Sequence, residues 1–554
     1  MNRRNFLQFL YGLGLAPKFV AGSSVKLDEF YHTPAFGNVS LLHFTDCHAQ
    51  LLPVYYREPS VNLNAGHQNG LPAHQVGQQF LNFFGIQHGS REAYAFTHLD
   101  FVEAATVYGK MGGFAHLATL VKQIRQMRGH ENTLLLDGGD SWQGSATALW
   151  TKGQDMIAAC NLLGVDMMTG HWEFTYGSDQ VIKNMQLFNG EFLAQNITLT
   201  DEAQFAAETD NTAVFKPYSI KAFKHANVAF IGQAFPYTPI AHPRWFTPAW
   251  QFGIQEQALQ KIIAEIKQNK QADVIVLLSH NGLEVDLKLA SRVSGLDVIL
   301  GGHTHDAMPR PFAINNAGGR TWVTNAGSHG KFLAVLDLDI AKGRLRDLRY
   351  RLLPVFSNLL APDIDMQALI NSIRAPYIAK LQQPLAVADK LLYRRDTYQG
   401  TFDKVILEAL LTVNDAQIAL SPGFRWGTAL LPGHTIRYED VMNLTATTYP
   451  ETYVRSMSGN ALKNSLEDVA DNLFNRDPYY RQGGDMVRAG GMQFSCNPQA
   501  AFGERISHMR LANGQPVAAN KRYKVSGWAS VSAIETGAPV DDVVVQYLKS
   551  QPSG

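Results

Sequence analysis

Short apolar runs recur along the first two-thirds of this chain, and several end in a turn that carries Asp or His. From about 39 to 44 a β-branched and apolar run reads as a buried strand leading into Asp46-Cys47-His48. Residues 133–136 lead in the same way into Gly138-Gly139-Asp140, and 165–168 into Gly170-His171-Trp172-Glu173. Residues 274–278 are apolar throughout, as a strand covered on both faces should be, and they end in Ser279-His280-Asn281-Gly282. Residues 298–300 end in Gly301-Gly302-His303-Thr304-His305. Helices are predicted at about 114–127, with Phe114, Leu117, Leu120, Val121 and Ile124 on one face, at 154–163 and at 255–269. Further strand-like runs lie at 192–194, 228–231, 322–324 and 333–336. This alternation predicts a layered α/β fold whose first domain covers residues 38–356. It puts five Asp/His tips in order on one sheet, at the carboxyl ends where open α/β sheets take ligands.

Two stretches break the alternation. Residues 51–108 are rich in Gly, His, Gln, Asn and aromatics and read as one long loop, of the kind that is either functional or disordered. Residues 362–383 read as a linker helix that carries Pro376, and a smaller α+β domain follows over 384–554.

Composition narrows the function. Lys+Arg and Asp+Glu both number 48, so the chain lacks the basic excess that a nucleic-acid binder or an anionic-membrane binder needs. Three cysteines, Cys47, Cys160 and Cys496, cannot make a disulfide framework. The compartment is read instead from Arg3-Arg4-Asn5-Phe6-Leu7 and the apolar run to about Ala16, too short to span a bilayer that takes about 20 residues. Residues 1–22 are expected to be a twin-arginine export signal, and the mature chain a periplasmic protein without a membrane anchor.

The tips carry the chemistry. Asp46, His48, Asp140, His171, His280, His303 and His305 are carboxylates and imidazoles, which suit divalent first-row metals. Seven ligands exceed what one ion takes and suit two ions that share a carboxylate. Such a pair supplies a hydroxide nucleophile and neutralises an oxyanion centre. Asp137, His43 and His116 are read as ordinary buried side chains.

In this order the motifs resemble those of the calcineurin-like metallophosphoesterases, and specifically the two-domain 5'-nucleotidase family. The resemblance implies a metallophosphoesterase-like catalytic domain, a linker helix and a 5'-nucleotidase-type C-terminal domain. It implies that Asp46, His48, Asp140 and His305 hold one ion, and that a bridging Asp140 with His171, His280 and His303 holds the other. Ser421-Pro422-Gly423-Phe424-Arg425 stands where that family has Asn-Gly-Gly-Ile-Arg. Arg425 is therefore expected to bind the substrate's anion, with Arg488 as a second substrate-binding arginine.

Two departures bear on the substrate. The family's Gly-Asn-His-Glu-Phe-Asp reads Gly170-His171-Trp172-Glu173-Phe174-Thr175 here, so a His replaces an Asn ligand and Trp172 replaces the catalytic His. An indole cannot deliver a proton to a departing alkoxide. The nucleotidases' late Gly-Gly-Asp-Gly-aromatic segment is also missing after Trp528, and Gly483-Gly484-Asp485 comes too early to be its equivalent. These departures, with the long insert and Phe424-Arg425-Trp426-Gly427, are similar to one branch, the sulfur-oxidation thiosulfohydrolases of the SoxB family. That resemblance implies a dimanganese hydrolase that removes the terminal sulfone from a cysteine S-thiosulfonate on the carrier protein SoxYZ and releases sulfate. Asp140, His171, Trp172 and Arg425 are then the residues at the reaction centre. A periplasmic 5'-nucleotidase-type phosphohydrolase and a non-catalytic exported binding protein are the two alternatives.

Overall fold

Along the Val39–Phe44 strand Leu41 and Leu42 point to opposite faces, and each face meets a separate core. The computed structural model describes residues 30–63, 65 and 72–551, and the segment expected to be an export signal lies outside these described residues. Leu41 faces inward with Leu136, Met167, Val276, Leu278 and Leu300, an apolar layer shared between two sheets. Leu42 and Phe44 face outward onto the helices Phe114–Arg128 and Gln154–Leu163.

The first sheet orders its strands Arg344–Pro354, Phe332–Ala341, Val39–Phe44, Thr133–Asp137, Met167–Met168 and Glu191–Phe192. The second runs Phe312–Asn316, Gly319–Asn325, Val298–Gly301, Val274–Ser279, Ala226–Gln233 and Tyr218–Phe223. Its outer face buries Ile275, Leu277 and Ile299 against Leu259, Ile263 and Leu289 of the helices Glu256–Gln268 and Leu283–Arg292. The first domain is thus a four-layer α/β sandwich. The expectation of a single sheet is corrected here. A strand covered by helices on one side and by another sheet on the other is as apolar as one covered by helices on both, so its sequence does not separate the two cases.

The insert is also corrected. Residues 51–108 are not one structureless loop: they contain the helices Gly77–Phe84, Arg91–Phe96 and Phe101–Tyr108. Phe80, Tyr94, Phe96 and Phe101 from these helices pack with Phe332, Leu352 and Phe356. Each helix is about two turns or less, too short for a 3.6-residue period to show in the sequence. Residues 64 and 66–71 of the insert lie outside the described residues.

The linker is helical over Ile364–Arg374, changes to a 3-10 turn at Ala375–Tyr377 and resumes at Ile378–Leu381. Pro376 explains the break, since proline lacks the amide that an α-helix needs there. Beyond it a four-stranded sheet orders Thr452–Ser458, Arg522–Trp528, Ile418–Ser421 and Arg488–Gly490. Helices Thr401–Val413 and Val540–Ser550 cover one face through Phe402, Ile406 and Val544, and Gly459–Phe474 covers the other through Leu462 and Leu466. The start of the insert joins the two domains. Tyr55 O accepts the Ala429 amide at 2.6 Å, and the Ser60 and Val61 amides donate to Asp396 Oδ1 at 2.6 and 3.0 Å. Among the described residues no helix is long and apolar enough to cross a membrane.

Candidate metal centre

Where the two sheets end side by side, five strand-end turns converge. Asp46 and His48 follow the Val39–Phe44 strand, Asp140 follows Thr133–Asp137, and His171 follows Met167–Met168. His280 follows Val274–Ser279 in the second sheet, and His303 and His305 follow Val298–Gly301. The tips therefore come from both sheets, and the sandwich brings them together at one end. Asp46, His48, Asp140, His303 and His305 all have positive φ, between 45° and 73°. Side chains other than glycine rarely adopt that region, and such strain gathers at functional sites. Cross-turn bonds hold it in place: Asp46 N donates to Gly139 O at 2.8 Å, and His48 N to Asp140 O at 2.7 Å. Gly139 itself has φ +97°, and a Cβ there would stand 2.9 Å from His280 Nδ1.

The seven predicted ligands fall into two adjoining groups. Asp140, His171, His280 and His303 form one, and Asp46, His48 and His305 the other. Asp140 lies between them. Its Oδ2 is 3.1 Å from His280 Nε2, 3.3 Å from His171 Nδ1 and 3.9 Å from His48 Nε2. Its Oδ1 accepts the Trp172 amide at 2.7 Å, which turns the other oxygen inward. Asp46 Oδ1 approaches His305 Nε2 at 3.4 Å and His280 Nε2 at 3.7 Å.

Hydrogen bonds on the far side of the rings set the tautomers. His280 Nδ1 lies 2.6 Å from Gly138 O, a contact that makes it the donor and leaves Nε2 as the ligand atom. His303 does the reverse: Nε2 donates to Gln482 O at 2.7 Å, leaving Nδ1 buried without a hydrogen-bond partner. Both ring nitrogens of His171, and Nδ1 of His48 and of His305, are likewise buried without one. So many unmatched imidazole nitrogens around two carboxylates fit metal ions, since buried polar atoms are otherwise paired.

The electrostatics agree. Burial lowers the pKa of His48 to about 3 and depresses those of His171, His303 and His305, so these rings are neutral and offer lone pairs. Burial also acts against a charge on His280, but the carboxylates of Asp140 and Asp46 outweigh it and raise its pKa to about 10. For Asp140 burial favours the acid, and His280 and His171 outweigh that and hold it well below the usual carboxylate range. Burial and the neighbouring Asp140 raise Asp46, with His280 and His48 opposing. This is a buried site that draws in positive charge.

A cavity of about 120 Å³ opens onto the cluster, lined by His48, Asp140, Trp172, Phe424, Arg425 and Trp426 among others. Arg425 reaches it from the C-terminal domain, with Nε on Asp485 Oδ1 at 3.3 Å and Nη1 on Thr304 O at 3.2 Å. Trp172 forms an aromatic wall, edge-on to Phe424 at 5.0 Å between ring centres.

Arg488 is placed elsewhere, which corrects the expectation that it binds substrate. It is fully buried and pairs with Asp403 and Asp485. Its remaining donors are taken by the carbonyls of Thr397, Met486, Arg394 and Asp396. A guanidinium so engaged has no edge left for a ligand.

Sequence reasoning missed several residues. The Glu173 carboxylate accepts four amides, those of Asp140, Ser141, Trp142 and His171, and so fixes two ligand turns at once. The Glu in Gly170-His171-Trp172-Glu173 is visible as part of a motif, but three of its partners lie more than 30 residues upstream. His242 stacks near His171, with ring centres 4.7 Å apart, and His329 accepts the Gly427 amide at 3.3 Å. Neither carries a motif.

Comparison with known proteins places this geometry. Residues 378–537 match the family model for the 5'-nucleotidase C-terminal domain. The chain is 35% identical to the sulfate thiohydrolase SoxB of Thermus thermophilus, solved in complex with glycerol. The two superpose with a TM-score of 0.88 over 94% of this chain and 95% of the other. A 5'-nucleotidase precursor, also from Thermus thermophilus, superposes with a TM-score of 0.71 at 21% identity, over 92% of this chain and 96% of that one, and shares the fold. Bovine 5'-nucleotidase is 30% identical over 247 residues, and the match spans 41% of the length of each chain.

Proposed function

This chain belongs to the SoxB family within the two-domain 5'-nucleotidase superfamily, and from that premise we propose that it hydrolyses the terminal sulfone of a cysteine S-thiosulfonate held on a carrier protein, releasing sulfate. It is a metal-dependent hydrolase of two buried His/Asp sites, and the finer reading concerns its substrate.

The observation that carries this reading is Trp172. It stands beside Asp140 and His171, where the nucleotidase pattern puts its proton donor, and it is only 7 % exposed. A phosphate ester needs that donor because an alkoxide is a strong base. A thiosulfonate does not. Hydroxide oxygen bonds to the sulfone sulfur, the sulfur–sulfur bond breaks, and its electron pair leaves on a persulfide, a weak base that needs no proton. Two divalent ions bound by the seven residues would supply Lewis acidity and a hydroxide available near neutral pH.

The chain's own groups do the rest. Arg425 offers a fixed guanidinium to the sulfonate oxygens, which match a phosphoryl group in shape and charge. Trp172, Phe424 and Trp426 form an apolar wall that limits water around the reacting bond and strengthens each charge interaction inside.

The metal in this reading is manganese. Carboxylates and imidazoles without a thiolate accept it, and export of the protein already folded lets cytosolic metal supply choose the ion. The partner is the cysteine-bearing arm of the carrier protein SoxYZ, and the site of action is the periplasm, reached through the twin-arginine signal. An intact set of seven ligands disfavours a non-catalytic role.

The test measures sulfate release from carrier-bound thiosulfonate beside phosphate release from a 5'-nucleotide, with manganese-loaded protein. Sulfate release should be faster by orders of magnitude. Phosphate release at an equal or higher rate would return the chain to the phosphohydrolases.

A further inference from the structure

One loop of the C-terminal domain touches both a metal-site histidine and the pocket arginine. Gln482 O accepts His303 Nε2 at 2.7 Å, and a Cβ on Gly483 would stand 2.6 Å from that same nitrogen. Two residues on, Asp485 is buried at 4 % exposure among three arginines. Its Oδ1 accepts Arg395 Nη1 at 2.6 Å and Arg425 Nε at 3.3 Å, and its Oδ2 accepts Arg488 Nη2 at 3.1 Å. Burial opposes its charge, and the guanidiniums of Arg395, Arg488 and Arg425 outweigh that and keep it ionised. The loop is also fixed to the strand end that carries Arg425. Asp485 N donates to Gly423 O at 2.8 Å, and Gly423 has no room for a Cβ, with Asp485 O only 2.1 Å from where it would be.

We propose that Asp485 is a positioning residue for oxyanion binding: held in place by Arg488 and Arg395, it fixes Arg425 by its Nε and so aims the rest of that guanidinium at the pocket. This rests on the reading that the pocket takes a sulfonate. Arginine has a long side chain with many rotamers, and an anion gains from it only when its fork is already placed. Asp485 and Thr304 O take Nε and Nη1. The position of the remaining donor edge then follows from the protein and not from the ligand.

A purely electrostatic role would act in the opposite direction. Three guanidiniums around one carboxylate leave excess positive charge beside the cavity, and removing the carboxylate adds to it. If charge alone governed, Asp485→Asn would tighten an anion. If placement governs, it loosens one.

The experiment is calorimetric titration of the manganese-loaded protein with inorganic sulfate and, separately, inorganic phosphate. It compares wild type, Asp485→Asn, Asp485→Glu, Arg425→Ala and the double variant Arg425→Ala/Asp485→Asn. Asp485→Asn should weaken sulfate by roughly tenfold, the size of one misplaced charge-assisted hydrogen bond. Asp485→Glu, which keeps the charge and shifts the carboxylate, should also weaken it, and decides the matter where the Asn variant does not fold. The double variant should bind no more weakly than Arg425→Ala. Unchanged or tighter binding in the Asp485 variants, or additive losses, overturns the positioning role and leaves the substrate reading intact. Wild type that binds phosphate and ignores sulfate overturns the substrate while phosphate then tests Asp485. Wild type that binds neither overturns both.

Discussion

The Nε2 atoms of His48 and His305 face each other at 3.0 Å, although 257 residues separate them in sequence. Burial keeps both rings neutral, and with both Nδ1 atoms left without a partner no hydrogen bond fixes which Nε2 carries the proton; a cation bound beside the pair would take both Nε2 lone pairs. Asp46 joins this pair on one side, and Asp140 connects it with His171, His280 and His303 on the other. Asp140→Ala is therefore expected to lose both metal ions and His305→Ala only one, as counted by elemental analysis of protein purified with manganese. Two ions per chain in Asp140→Ala would remove Asp140 from its place between the sites.

Arg425 and Arg488 should differ in what their loss costs first, activity for one and stability for the other. Arg425 lines the cavity, so Arg425→Lys keeps a charge but loses the planar fork, and kcat/KM should fall by roughly tenfold or more with little change in Tm. Arg488 pairs with the buried Asp403 and Asp485 and donates to four carbonyls. Arg488→Met therefore strips one partner from each carboxylate and leaves those carbonyls unmatched, and should cost about 3–5 kcal/mol of stability. Thermal melts beside steady-state kinetics distinguish the two. Unaltered kinetics in Arg425→Lys would move the anion site elsewhere.

What is legible in the sequence is local. Asp46, His48, Asp140, His171, His280, His303 and His305 each follow an apolar run directly, and a strand followed by a turn can be read within ten residues or so. What stays hidden depends on distant neighbours. Leu41 and Leu42 look alike in sequence, yet one faces a second sheet and the other a helix, so the pattern predicts one sheet where two exist. Arg488 resembles a ligand-binding arginine in sequence, whereas its donors are all engaged by Asp403, Asp485 and four carbonyls. Gly483-Gly484-Asp485 is visible as a run, but its position beside His303 follows from docking of the two domains, and its position beside Arg425 from folding within the second.

The domain junction should weaken in acid. Glu284, on the helix Leu283–Arg292, meets His74 of the insert at 2.7 Å and Arg481 of the C-terminal domain at 2.6 Å. Burial disfavours its charge, but His74 and Arg481 outweigh that and hold its pKa at about 2. A carboxyl whose folded pKa is depressed contributes its stability above the unfolded value, about 4.5, and loses it as pH falls through the folded value. The window is therefore about pH 4.5 down to about 2, with at most about 3 kcal/mol at stake. Glu284→Gln should be less stable than wild type at neutral pH and should lose less stability across that window. Parallel melting curves against pH for the two proteins would disprove the assignment.

Trp172 offers the sharpest test of the chemistry. Its ring lies edge-on to Phe424 and 4.5 Å from the ring of His242, and its backbone amide serves Asp140, so the side chain can change without removing that hydrogen bond. Trp172→Phe keeps an apolar wall and should retain sulfate release, with a stability loss of about 1–2 kcal/mol from the smaller ring. Trp172→His restores the group that the nucleotidase pattern has at this position. If a persulfide departs without a proton, the introduced imidazole adds nothing to sulfate release from the carrier. It should, however, raise phosphate release from a nucleotide, because an alkoxide does gain from a proton donor, typically ~10²–10⁴-fold. The two activities measured side by side give the answer. Faster sulfate release in Trp172→His would show that this reaction also waits on a proton, and the account of its leaving group would have to be abandoned.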